Sequence, residues 1–248
     1  MIKYLRLSIR SQFRMPVSIF FALGFPLILT FAMMISSGNA EIANGYHLVD
    51  QYFPISVGMG LLPIALMTFP QNLAEELEKQ SYKRLDYFGL DVRKMMVCNI
   101  FSYIILSLCT ILTTMTFSFF MYQLQIPKFE YLIMFILQAL YCSVVFLMLG
   151  AILALLVKKV KVIMPVGMFV MFGCAILCGG FGPIEKQPEL MQTIGKLIPM
   201  KYGMNDFFDI WTEKEFFNWD FISLNTIYAF VFALVLVAMF VWNKRRTS

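Results

Sequence analysis

The chain is poor in the residues that most chemistry needs. It has one histidine, His47, in 248 residues, and only 14 % of its side chains are charged. It contains no G-x-x-x-x-G-K-[ST] loop, so it has no phosphate-binding loop of its own with which to hydrolyse a nucleotide. Its cysteines, Cys98, Cys109, Cys142, Cys174 and Cys178, lie in or beside apolar runs without metal-type spacing, and are expected to be reduced packing residues. No Asp, Glu, Lys, Arg or His sits deep inside an apolar run, where ion-coupled carriers keep a proton or charge relay. The paired acids Glu75-Glu76 have no histidine near them, His47 lying in a loop expected on the opposite side, which argues against a metal-dependent intramembrane protease. The net charge of +5 is dispersed in short clusters beside apolar segments and is no nucleic-acid footprint.

What the chain has is hydrocarbon. It is 60 % hydrophobic, with a mean hydropathy of +0.74. A membrane-crossing helix takes about 20 apolar residues, and the sequence offers six such stretches: 17–36, 52–70, 95–122, 129–157, 162–178 and 221–242. The expected fold is an all-α integral membrane domain over residues 1–248. About three quarters of the lysines and arginines fall on one side if the chain starts inside, which predicts both termini in the cytoplasm. Residues 39–51 and 179–220 are then external. No signal peptide is expected, because Lys3, Arg6, Arg10 and Arg14 spread along residues 1–14 and no small-residue cleavage site follows. These four share one helical face and Ile2, Leu5, Ile9 and Phe13 the next, the pattern of an amphipathic helix (1–15) lying in the interface.

Two polar segments stand out. In Gln71–Met95, Leu73 and Leu77 share a stripe, Glu75 and Lys79 make a favourable i,i+4 pair, and Gly89 and Asp91 can end one helix and start another. A surface helix, a break and a new span are expected there. In 179–220, Gly179, Gly180, Gly182 and Pro183 break the fifth span. Leu190, Ile194, Leu197 and Ile198 form one short stripe, and Met204, Phe207, Phe208 and Trp211 another. Helices of about 10 residues, roughly 15 Å, are too short to cross, so the pair is either a re-entrant hairpin or a surface cap. The threonines Thr110, Thr113, Thr114 and Thr116 and the amide Gln138 are the candidates to line a path, although threonine in a span more often packs helices together.

On these features the chain resembles the permease subunits of ABC-2 type ABC transporters. The basic amphipathic start carries the resemblance, with the acidic-then-basic run from Glu75-Glu76-Leu77-Glu78-Lys79 to Arg84-Leu85. So do the break Gly179-Gly180-Phe181-Gly182-Pro183 and the run Leu197-Ile198-Pro199-Met200-Lys201-Tyr202. Ser81-Tyr82 stands where members commonly carry Gly-Thr. The resemblance implies a six-helix permease in a bacterial cytoplasmic membrane. It would pair with a second copy or a paralogous permease, contact membrane lipid, and be driven by two cytosolic ATPase subunits that hold the ATP and magnesium. It implies a coupling surface of Glu75, Glu76, Leu77, Lys79, Tyr82, Lys83, Arg84 and Leu85, with Lys158, Lys159 and Lys161 as a second contact. Apart from the resemblance, the two short stripes beside the broken fifth span suggest an outer gate that includes Leu197, Pro199, Tyr202, Phe207 and Phe208. A neutral, Met- and Phe-rich path suits an amphipathic or hydrophobic cargo (a drug, an antimicrobial or other small peptide, or a lipid-like molecule), and the family's usual direction is export. The alternative is a membrane subunit for assembly or sensing that transports nothing.

Overall fold

A computed structural model of the chain describes residues 2–13, 19–43, 45–81, 87, 92–182 and 184–247. Among them are six helices long and apolar enough to cross a membrane. In chain order the elements are α1 (Ile2–Phe13), α2 (Phe20–Ser37), the hairpin β1 (Glu41–Ala43) and β2 (Tyr46–His47), and α3 (Leu48–Glu78). Then come α4 (Val92–Tyr122), α5 (Phe129–Val157), α6 (Val160–Leu177), α7 (Glu189–Gly195), α8 (residues 199–211) and α9 (Trp219–Thr247). One end of the bundle carries α1 and the α5–α6 turn with its lysines, and is called the basic end below. The other, the hairpin end, carries β1–β2, α7 and α8.

The bundle is built around α3. In its most apolar window 89 % of residues are buried, against 44 % or less in every other span. It runs 31 residues, longer than the 52–70 read from the sequence. Pro70 does not end it, and residues 71–78, expected as a separate surface helix, are its last turns. The reason is a π turn at Ile64–Thr68. There the Phe69 N–H turns to the Ile64 carbonyl, which takes the regular donor from Ala65, while Pro70 has no N–H to give Leu66. Both freed carbonyls are covered by neighbouring helices at glycine. A Cβ on Gly150 of α5 would lie 2.1 Å from the Ala65 oxygen, and one on Gly167 of α6 would lie 2.2 Å from that of Leu66. Close approach at small residues is how helices associate in lipid, and here it also shields backbone that hydrocarbon cannot solvate.

At the hairpin end, α8 enters the bundle. It consists of Pro199–Lys201, a π turn Tyr202–Asp206 and Phe207–Trp211. Its Met204 and Met200 lie against Gly58 of α3, ten residues or roughly 15 Å along that helix. Phe207 and Trp211 join Phe53, Phe135 and Phe221 in a buried aromatic cluster, with Phe53 and Trp211 ring centroids 4.5 Å apart and Phe207 and Phe221 4.9 Å apart. α7 differs: Leu190 and Leu197 beside it are 72 % and 58 % exposed, and Gly195 rests on the Leu177 carbonyl that ends α6. Asp50, fully buried in the first turn of α3, ties the loops together here. It accepts the backbone N–H groups of His47 and Gln125, each at 2.8 Å. Asn39 donates to the Tyr122 carbonyl at 2.8 Å. The stretch 39–51, read as a loop, thus contains a strand pair and the start of α3.

Candidate functional site

At the basic end α3 finishes where α6 begins. Lys79 caps the helix, and Gln80 takes a positive φ of 51° that turns the chain away. Glu75 pairs with Lys79 on the outer side, an exposed i,i+4 pair worth about 0.3–0.5 kcal/mol. Glu76 is half-buried and faces a cleft of about 320 Å³ that Arg10 and Ser11 of α1 and Asn72 and Asn99 also line. Leu77 is half-buried against the core. Tyr82, Lys83, Arg84 and Leu85 lie outside the described residues.

The second expected contact, Lys158–Lys161, is the turn between α5 and α6. Lys158 ends α5 in the left-handed region (φ 53°), and Lys159 is the N-cap of α6 in extended conformation. All three lysines are exposed. The two segments are joined by a residue the sequence reading did not single out. The Glu78 carboxylate Oε2 accepts the Val160 backbone N–H at 2.9 Å. That N–H is one of the donors a helix start leaves unmatched, and the positive end of the helix dipole favours the carboxylate. An acid in the last turn of one helix, with a helix start elsewhere in need of a cap, was the available signal. No local spacing connects positions 82 apart. Tyr87, 91 % exposed, is the other feature not anticipated.

α1 is held to the same end. Gln12 is buried and its Nε2 donates to Ser102 Oγ at 2.6 Å. Ser102 in turn donates to the Asn99 carbonyl at 2.6 Å, and Asn99 Nδ2 to Asn72 Oδ1 at 3.2 Å. A run of polar contacts thus links α1, α4 and the last turns of α3.

The expected gate residues separate by depth. Phe207 is buried, Phe208 and Tyr202 half-buried, Pro199 buried and Leu197 exposed. The Tyr202 hydroxyl donates to the Lys196 carbonyl at 3.1 Å, and Lys201 Nζ sits 4.6 Å over its ring while binding both Asp206 oxygens. Asn205 donates to the Cys178 carbonyl at 2.8 Å, tying α8 to the end of α6. Of the path candidates, Thr110 and Thr114 are buried and donate to their own helix at Leu106 and Thr110. Thr113 is half-buried. Gln138 is buried, its Oε1 accepting from the Asn218 N–H at 3.4 Å. Among the described residues no cluster of three His, Cys, Asp or Glu is placed to hold a metal ion.

Five apolar helices around a sixth that is long and broken, with an amphipathic helix at one end and a short helical hairpin at the other, fit the six-helix permease that the sequence resemblance implies. The family model for ABC-2 type transporters matches residues 4–211. The chain belongs to that family. This ABC-2 permease is therefore a multi-pass membrane subunit of an ABC transporter, and such subunits work with ABC ATPase subunits. The match takes in α1 through α8 and stops before α9, so the parts most distinctive in the geometry fall within it. No curated protein and no solved structure matches the chain.

Proposed function

We propose that this permease exports an amphipathic or hydrophobic cargo across a bacterial cytoplasmic membrane, with both termini and the basic end in the cytoplasm. Two ATPase subunits with ATP and magnesium would dock on the basic end of a permease pair, whether two copies or a copy and a paralogue. The observation that supports this reading is the Glu78–Val160 bond. It joins the two expected contacts into one surface, and that surface is the end of the most buried helix of the bundle. Force applied there has a direct route along α3 to α8, which packs against Gly58. Glu75, Lys79, Lys158, Lys159 and Lys161 supply a charged rim. Tyr82, Leu85 or the exposed Tyr87 would supply the anchor, since truncating a central aromatic commonly costs about 2 kcal/mol or more of binding and a rim charge less. Leu77 and Glu76 are directed into the protein and act by holding α3 in place.

The test is copurification of the permease with its ATPase, reading hydrolysis and transport together. Glu78→Ala is expected to leave the complex assembled and uncouple hydrolysis from transport at least fivefold. Tyr82→Ala or Tyr87→Ala is expected to weaken the complex itself about tenfold, and Lys83→Ala to change it less than threefold. Wild-type coupling in a Tyr82→Ala, Tyr87→Ala, Glu78→Ala triple variant would move the docking surface elsewhere. Hydrolysis that no amphipathic cargo stimulates in an intact complex would make the chain a sensor or assembly subunit instead.

A further inference from the structure

The polar contacts under α1 run in one direction, and their chemistry forces that direction. Ser102 Oγ lies 2.6 Å from the Gln12 amide and 2.6 Å from the Asn99 carbonyl oxygen. A hydroxyl has one proton to give, and a carbonyl can only accept. The proton therefore goes to Asn99, and Gln12 must present its N–H to the Ser102 oxygen. Asn99 passes the connection on through its side chain, whose Nδ2 donates to Asn72 Oδ1 at 3.2 Å. Gln12, Ser102 and Asn72 are all buried. An amphipathic helix needs none of this to stay at an interface, since its apolar face suffices. Burying two amides and a hydroxyl costs free energy that apolar residues of the same shape would not. What a satisfied buried network gains is one fixed alignment of the elements it joins. Here those elements are α1, α4 and the last turns of α3. Asn72 stands six residues before Glu78, roughly 9 Å along the axis, and Glu78 holds the start of α6. One short stretch of α3 is thus tied through Asn72 to α4 and α1, and through Glu78 to α6.

We infer that α1 is a moving part of the coupling apparatus as well as an anchor in the interface. Gln12, Ser102, Asn99 and Asn72 are the positioning residues that lock its alignment to the end of α3. This rests on the reading that the ATPase subunits dock at the basic end. A displacement delivered there, at the Glu78–Val160 bond, reaches Asn72 within two turns of helix. The hydrogen bonds carry it through α4 to α1, which shifts with α3 instead of staying with the lipid. Without the link, α3 moves against α4, and the displacement is lost as slippage at that contact.

The experiment places a nitroxide amino acid at Leu7, exposed on α1, or at Lys79, exposed at the end of α3. The complex with its ATPase is reconstituted in vesicles. The relative accessibility of each label to oxygen and to a water-soluble nickel reagent is read before and after trapping with ATP and vanadate. Both labels are expected to change at least twofold on trapping. Gln12→Glu sets two acceptors against the one hydroxyl proton, and Ser102→Ala removes the hydroxyl itself. Each is expected to abolish the change at Leu7 and keep the change at Lys79. Ser102→Thr keeps the hydroxyl and is expected to keep both. Ser107→Ala deletes an equally buried hydroxyl of α4, one paired with Ser143 on α5, and is also expected to keep both. A Leu7 label that stays unchanged on trapping in the unaltered chain while Lys79 responds would overturn the inference. So would an undiminished Leu7 response in both Gln12→Glu and Ser102→Ala, or its loss in Ser107→Ala. A Lys79 label that does not respond would overturn the docking reading, and the inference with it. None of these readings requires a known cargo.

Discussion

Single atoms decide the packing at Gly150 and Gly167. In an exposed helix, replacing glycine by alanine gains up to about 1 kcal/mol through propensity. Here the sign should reverse, because the added Cβ of either residue would meet a carbonyl oxygen well inside contact distance. Gly150→Ala and Gly167→Ala are expected to lose about 1–3 kcal/mol, as overpacked cores do. Gly173→Ala, with nothing within 4 Å, is expected to be neutral or slightly stabilising. Thermal unfolding of the three purified variants checks this, and equal midpoints would show that α3 yields at its π turn. Asp50 is the second such point. Asp50→Ala leaves the His47 and Gln125 N–H groups without their acceptor, and hydrogen bonds to a charged group are worth about 1.5–3 kcal/mol each. A loss of at least about 2 kcal/mol is expected, with Asp50→Asn intermediate, read by the same unfolding assay. The burial of Asp50 and the close approach of backbone to Gly150 were both invisible in the sequence. The first looked like a loop residue and the second like any glycine in a span.

At the scale of elements, periodicity located the six spans and the two short outer helices because an apolar run or stripe is a local property. It misplaced the end of α3, since Pro70 reads as a stop unless the freed carbonyls are known to be covered. That cover comes from residues about 80 to 100 positions later. The depth of α8 was equally hidden: the stripes of α7 and α8 are alike in sequence, yet one faces out and the other ends in the aromatic cluster. The two helices should therefore respond differently to change. Phe207→Ala is expected to cost about 3–5 kcal/mol of stability, as loss of a buried aromatic does, and to reduce extractable protein. Leu197→Asp is expected to leave stability within about 0.5 kcal/mol, since surface changes away from special features do so. A transport defect in Leu197→Asp would then report on gating alone, and a fully folded Phe207→Ala protein would show that α8 is not anchored by its ring.

For the whole molecule, orientation is the first test. A cysteine probe at Glu41, exposed at the hairpin end, should be labelled on intact cells, and one at Lys159 should not; the opposite result would invert the proposed topology. The second is acidity on the hairpin side, where Glu213 accepts the Lys128 N–H at 2.7 Å and pairs with its ammonium at 2.8 Å. These bonds hold the carboxyl of Glu213 below its ordinary 4.5 and the ammonium of Lys128 above its ordinary 10.5. The pair thus contributes stability between those values, losing it as pH falls below 4.5 through the lowered carboxyl value and as pH rises above 10.5 through the raised lysine value. Glu213→Gln is expected to lower the unfolding midpoint slightly at pH 6–8 and leave it unchanged at low pH, where the pair is already lost, so that the acid limb flattens. The glycine covers of α3 also carry a consequence for how the protein is made. Translation at about 5–20 residues per second delivers α3 to the membrane several seconds or more before α5 and α6 exist. During that interval its bared carbonyls and three prolines sit without their partners. The nascent chain is thus most vulnerable while its future centre waits at the insertion machinery, and mild lesions at Gly150 should appear as newly made protein degraded before completion of the bundle, with little effect on the molecules that survive.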